Sequence, residues 1–452
     1  MKWLEHEVRL LLRSRLSRVA LLLLLGLTVL AVWSGLQEIE RQQQTIARLA
    51  PLHEQDGAAI AARYAQSPDA GYPAYYSFYS TWDPPREAAF LAVGLRDVTP
   101  YALRIRALGL QAQLYEGEVF NPELALPGRF DFAFVLIYLV PLLVIALLHD
   151  LISGERQAGR LRLLMSLPDS ARLWQRRVTL RYLLLLACLT LPVLAGAAVS
   201  GTAAGTVALV LAIVASYLAF WVGLSLVIAT GGWRSVANAT ALMGAWALLT
   251  LVLPTLANVA LTRQIPVHQG VDLMLAQRQA IHGAWEVPRE ETMQRFFVSH
   301  PEWQATAPLS AGFNWKWYFA FQQLGDESVA KQVQAYREGL QARQTWTERL
   351  GWVLPGVGAQ AALHRAADTD LLAQLAYQDQ ITAFHRQIRH FYYAYLFNDQ
   401  PFGTADFAKQ PSFTPRAAQG ASLVGPLCAL FALAGLVCWL GIRRFKRLPS
   451  AG

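Results

Sequence analysis

The sequence predicts an all-α, polytopic membrane protein: six transmembrane helices, an N-terminal interfacial helix and two extracytoplasmic, mainly helical inserts. Three observations carry this. Hydrophobic residues make up 54% of the 452 residues and charged residues only 15%, whereas soluble domains carry about 25% charged residues. Six stretches, 19–36, 132–148, 182–200, 206–230, 235–261 and 421–442, have the length and apolarity of membrane spans, and none contains Asp, Glu, Lys, Arg or His. Lysine and arginine, finally, collect in alternate connections.

That third pattern sets the orientation. The pieces 1–18, 149–181, 231–234 and 443–452 hold 17 basic and 5 acidic residues, against 22 basic and 26 acidic in the other polar parts. The basic side is therefore read as cytoplasmic, with both termini there. This asymmetry accounts for the net charge of +8 and the pI near 9.5. A nucleic-acid partner would need a basic patch on a folded domain, and none is visible. Cys188, Cys428 and Cys438 all fall in apolar stretches, so neither a disulfide nor a zinc cluster is expected.

Taken in order, residues 1–18 read as a cytoplasmic interfacial helix or, on this segment alone, equally as a bare topology signal. Leu4, Val8, Leu11 and Leu12 recur at helical spacing, with Arg9 and Arg13 on another face. The first span, 19–36, is read as a signal anchor rather than a cleaved leader, being long for an h-region and lacking an A-x-A site. The first outer domain, 37–130, starts as an outward continuation of that helix through Ile39, Ile46 and Leu49. The aromatic run from Tyr72 to Tyr79, closed by Trp82 and Pro84-Pro85, reads as extended or irregular structure, and Asn121-Pro122 and Pro127-Gly128 turn the chain back.

The second span, 131–148 with Asp131 at its head, leads into a cytoplasmic loop, 149–181. Its stretch 153–168 reads as one short amphipathic helix broken at Pro168. Spans three to five occupy 182–261, with small-residue-rich turns at Gly201 and Gly205. The second outer domain, 262–420, looks helical: Phe384, Ile388, Phe391, Tyr392 and Tyr395 share a face, as do Val333, Tyr336 and Leu340. The run Trp315-Lys316-Trp317-Tyr318-Phe319 suits a core or a membrane-surface belt better than an apolar cargo site. The sixth span, 421–442, and a basic tail, 443–452, complete the chain.

Catalytic signatures are missing. None of the five lysines follows a glycine, so there is no phosphate-binding P-loop. His6-Glu7 and His53-Glu54 do not extend to H-E-x-x-H, and no G-x-S-x-G elbow occurs. Gly356-Val357-Gly358 mimics a dinucleotide fingerprint without its strand–helix context, and His364, His385 and His390 read as ordinary helix residues. The spans offer no ionisable group for ion coupling, only amides such as Asn238 and Asn258. Energy for any transport must come from elsewhere.

The overall plan resembles the membrane subunits of ABC-2-type transporters. The run Glu155-x-x-x-Gly159-x-Leu161, continuing to Ser166-Leu167-Pro168, is similar to that family's E-x-x-x-G-T-L…S-x-P segment, with Arg160 where Thr is common. A second stretch, Asn121-Pro122…Gly128-x-Phe130-Asp131-x-x-Phe134 running into Pro141-Leu142-Leu143, resembles a branch known only as a domain of unknown function. In that branch large outer inserts follow spans one and five. The resemblance implies that Glu155, Gly159, Leu161, Leu164 and Pro168 belong to a coupling helix docking on a separate ABC ATPase. Two copies of that ATPase would bind ATP and Mg, leaving no cofactor and no enzymatic activity on this chain. It further implies a second permease, identical or paralogous, in a bacterial inner membrane. The expected function is export; the alternative is mechanical transmission of ATP hydrolysis to a periplasmic partner without transport.

Overall fold

A computed structural model describes residues 2–64, 67, 69–115, 129–166, 170–267, 270–417 and 422–446, with all side chains among them except those of 2–6, 170 and 171. The expected turns at Asn121-Pro122 and Pro127-Gly128 lie outside these residues, as does Pro168. Among the described residues six helical stretches are long and apolar enough to cross a membrane: Arg15–Tyr64, Phe132–Gln157, Arg172–Ser200, Ala204–Ala229, Ser235–Gln264 and Val424–Lys446.

Helix α1, Lys2–Arg13, stops where Ser14 takes an extended backbone (φ −69°, ψ 121°), and α2, Arg15–Ala47, begins directly after it. The first span does continue as a helix: α2 runs well past Leu36 with Ile39 and Gln42 buried, and Leu49–Tyr64 follows as α3. The aromatic run is more regular than expected. Gly71–Tyr76 is a helical turn, α4, and Tyr79–Trp82 is a strand, β1, paired antiparallel with β2, Ala102–Ile105. This ribbon is the one departure from an all-α chain among the described residues, and Leu110–Tyr115, α5, follows it.

The second span is not one regular helix. Phe132–Phe134 (α6) and Val140–Leu148 (α7) are joined by a π-helical segment, Val135–Leu139. Pro141 has no N–H to donate and would clash with the carbonyl four residues back. The chain widens to a π turn there, and the Ile137 carbonyl is satisfied instead by Tyr217 Oη at 3.0 Å. After the loop helices Ser153–Gln157 (α8) and Leu161–Met165 (α9) come α10, Ser170–Ser200, and α11, Ala204–Ala229. The fifth span repeats the second's irregularity: Ser235–Trp246 (α12) and Leu253–Gln264 (α13) flank a π segment, Ala247–Val252, again just ahead of a proline, Pro254.

The two polar inserts were expected as separate domains; they fold as one body. The second supplies α14, Gly270–Gly283; α15, Arg289–Ser299; α16, Trp315–Ser328; α17, Ala330–Leu350; α18, Pro355–Ala366; α19, Leu371–Phe397; and α20, Thr404–Phe407. Val424–Lys446 is α21. A single hydrophobic cluster holds Tyr79, Ile105, Leu110 and Tyr115 of the first insert with Phe296, Trp317, Phe319, Ile388 and Tyr392 of the second. Trp317 and Phe319 are thus core rather than belt.

Polar bonds tie the same surfaces. Tyr79 and Tyr392 share hydroxyls at 2.8 Å and Thr81 meets Tyr377 at 3.0 Å. Buried Arg389 donates to the Ala107 and Leu108 carbonyls at 3.0 and 2.9 Å and pairs with Asp326 at 2.7 Å. Asp326 in turn accepts the Leu110 N–H at 2.8 Å, capping α5. His385, fully buried, meets the Leu108 carbonyl at 2.8 Å, and burial together with the Arg389 charge pushes its pKa well below the usual range.

The polar body also enters the bundle. Phe90 sits between α2 and α10, against Gly35 and Gly196, where an added Cβ would overlap it. Helix α18 packs on α11 and α21 and shares their core through Ala359, Ala362 and Leu363. The Gly356-Val357-Gly358 run is therefore a packing device: a Cβ on Gly358 would lie 2.7 Å from the Gly351 carbonyl oxygen. Thr369, just past α18, ties the chain around Phe90 to that helix, accepting from Leu95 N through its carbonyl (3.0 Å) and donating to the Ala92 carbonyl (2.8 Å). Asp131 caps α6 through Phe134 N and holds Val93 N at 2.9 Å.

Candidate functional site

The opposite end of the bundle gathers α1, the loop between the second and third spans, the turn 231–234 and the end of α21, which are the basic pieces of the chain. The loop is not the single helix expected. Gly159, with φ +71°, breaks it into α8 and α9. Arg160 N donates to the Glu155 carbonyl at 2.9 Å and Gly159 N to that of Arg156 at 3.0 Å. These are the two bonds of a Schellman cap, which needs a left-handed residue at this position. Among the described residues nothing lies within 4 Å of a Cβ added to Gly159, and it is the positive φ that calls for a glycine here.

Glu155, at the centre of α8, faces inward. Its carboxylate accepts Arg160 Nε at 2.7 Å and Arg177 Nη1 at 3.3 Å. Arg177, near the start of α10, also reaches Glu7 of α1 at 3.4 Å and lies 5.4 Å over the Trp174 ring. Charges thus alternate through Glu7, Arg177, Glu155 and Arg160, joining three separate parts of the chain. The side chains of Glu7, Arg177 and Glu155 are each less than a fifth exposed, so solvent screens them less than an open surface pair.

Leu161 and Leu164, with Met165, pack against the bundle core. Leu163 points the other way, 68% exposed, next to exposed Arg162. Sequence reasoning passed over Leu163, although the i, i+3 pairing of Leu161 and Leu164 already leaves it on the opposite face. It also missed Arg177 and Glu7, whose pairing crosses 170 positions and has no local signal.

In α1 the backbone of Leu4 is helical, Val8 is half-buried, and Leu11 enters the bundle core at 5% exposure. Arg9 and Arg13 are exposed as expected. Leu12 is 43% exposed beside exposed Leu10, while Glu7 and Leu11, four apart, take the inward positions.

The loop is also fastened to the fifth span. Ser235 Oγ donates to Ser153 Oγ at 2.9 Å, and buried Asn238 donates to the His149 carbonyl at 3.2 Å and to Ser153 Oγ at 3.3 Å. A push on α8 therefore reaches the second, third and fifth spans through polar contacts. The arrangement holds no nucleophile–base pair, and no group of three or more potential metal ligands occurs among the described residues. Its chemistry is that of a brace.

Residues 272–416 match the family model for a domain of unknown function, DUF3526. That match lies in the second insert, not in the stretch from Asn121 to Leu143 on which the resemblance to such a branch was drawn. No curated protein matches the chain, and no solved structure does.

Proposed function

We propose that this chain is the transmembrane permease subunit of an ABC exporter, driven by a separate ATPase that docks on the loop between the second and third spans. The membrane is read as a bacterial inner membrane, with both termini cytoplasmic. The observation that carries the reading is Leu163, exposed on α9 next to exposed Arg162 and just after a turn braced by Glu155, Arg177 and Glu7. An exposed leucine on a rigid basic turn suits an apolar groove with an acidic rim on a soluble protein. ATP and Mg belong to that partner. Two copies would serve a pair of permeases, this chain with itself or with a paralogue, and the contacts of Ser153 with Asn238 and Ser235 would carry the motion into the bundle.

One observation favours a second reading, mechanical transmission to a periplasmic partner without transport. Helix α18 anchors the fused polar body between α11 and α21, so a tilt of those spans would swing the whole body.

The test is affinity purification of the tagged full chain from gently solubilised membranes, comparing wild type with Leu163→Glu. A P-loop ATPase that co-purifies with the wild type and is lost from the variant supports the docking assignment. Its absence from the wild type, under conditions that hold a known transporter complex together, overturns it.

A further inference from the structure

At the basic end a crevice of about 310 Å³ opens on the side of the bundle between α10, α11 and α21. Its wall is almost wholly apolar, with Val178, Tyr182, Val222, Leu226 and Phe445 among the lining residues, and Gln175, Thr179 and Ile442 at its exposed edge. It exists because α11 and α21 are drawn together on one side only. A Cβ on Gly223 would lie 2.9 Å from the Cys438 backbone nitrogen, and one on Gly441 would lie 3.0 Å from Leu226 Cβ. Helix α10 packs instead on α2 and α11, and its contact with the end of α21 includes Trp174 and Phe445, ring centroids 6.0 Å apart.

One charged group stands at this otherwise apolar space. Trp174 forms part of the wall and is 2% exposed. Lys446 also lines the crevice, with its side chain exposed. Arg177, against the Trp174 ring, is already engaged by Glu7 and Glu155.

We propose that this crevice binds one acyl chain of an anionic phospholipid whose charged headgroup faces Lys446. The basic character of this end of the bundle supplies the complementary charge for an anionic lipid over a zwitterionic one. The assignment is independent of whether an ATPase docks on the neighbouring loop.

The experiment is native mass spectrometry of the full-length chain, delipidated in detergent and titrated with palmitoyl-oleoyl phosphatidylglycerol or phosphatidylcholine. One phosphatidylglycerol should be retained per chain at a concentration at least fivefold lower than phosphatidylcholine requires. Thr179→Trp, which fills the mouth from an exposed position, should raise that concentration at least fivefold. Lys446→Gln should erase the preference between the two lipids, and its exposed side chain leaves the fold alone. Equal retention of both lipids by the wild type overturns the assignment. So does undiminished retention by Thr179→Trp, or no retained lipid at all.

Discussion

Tyr217 of the fourth span donates its hydroxyl to the Ile137 carbonyl oxygen of the second at 3.0 Å, completing the backbone that Pro141 leaves open. Both residues are at most 2% exposed, and within a bilayer no water competes for the bond.

Tyr217→Phe therefore leaves a buried carbonyl unpaired and should lower stability by about 1–3 kcal/mol. Thermal unfolding in detergent reads the change. Returning an N–H with Pro141→Ala should shrink the penalty of Tyr217→Phe, a positive coupling in the double-mutant cycle. Equal penalties in both backgrounds would remove the link between the proline and the tyrosine.

Arg389 holds the two polar inserts together, and Arg389→Ala would leave the largely enclosed Asp326 carboxylate without its counter-charge. The expected loss is about 3–5 kcal/mol. It should fall on the polar body: limited proteolysis should cut residues 70–115 faster while the bundle stays resistant. Arg389→Lys should recover little, because an ammonium cannot reproduce the fork that serves Ala107, Leu108 and Asp326 at once.

Acid should loosen the same body. Neutral His385 is held by the Leu108 carbonyl, and its folded pKa lies well below 6.5. The unfolded chain takes up a proton near pH 6.5 that the folded body refuses, so stability is full above that pH and declines as pH falls below it. His385→Gln keeps a donor for Leu108 and should flatten the profile between pH 6.5 and 5. A variant melt that still tracks the wild-type pH dependence would assign the effect to other groups.

Gly159→Ala should cost about 1–2 kcal/mol, the penalty of a left-handed backbone for a residue with a Cβ. Asn tolerates that conformation better, so Gly159→Asn should restore much of the loss. If Gly159→Asn melts like the wild type but loses a cytoplasmic partner, the glycine serves close contact with that partner as well.

Much of this was legible in one dimension. The six apolar stretches became six long helices, and Phe384, Ile388 and Tyr392 line the buried face their spacing implied. Errors arose where a local rule met a longer-range partner. The stretch 153–168 reads as helical over most of its length, yet Gly159 adopts a positive φ and splits it. The aromatic run from Tyr72 became a helical turn and a strand because β2 was there to pair with it.

By itself, then, the sequence determined which segments shun water, how long they are and on which side the cations lie. Hydropathy and charge are sums over neighbouring residues, so they survive without knowledge of the fold. Only the tertiary structure decided that the inserts make one body, that Phe90 and α18 wedge into the bundle, and that Glu155 faces Arg177 rather than open solvent. Those outcomes depend on close packing and on pairing of buried polar groups between residues far apart in the chain, and such pairs become neighbours only once the chain has folded.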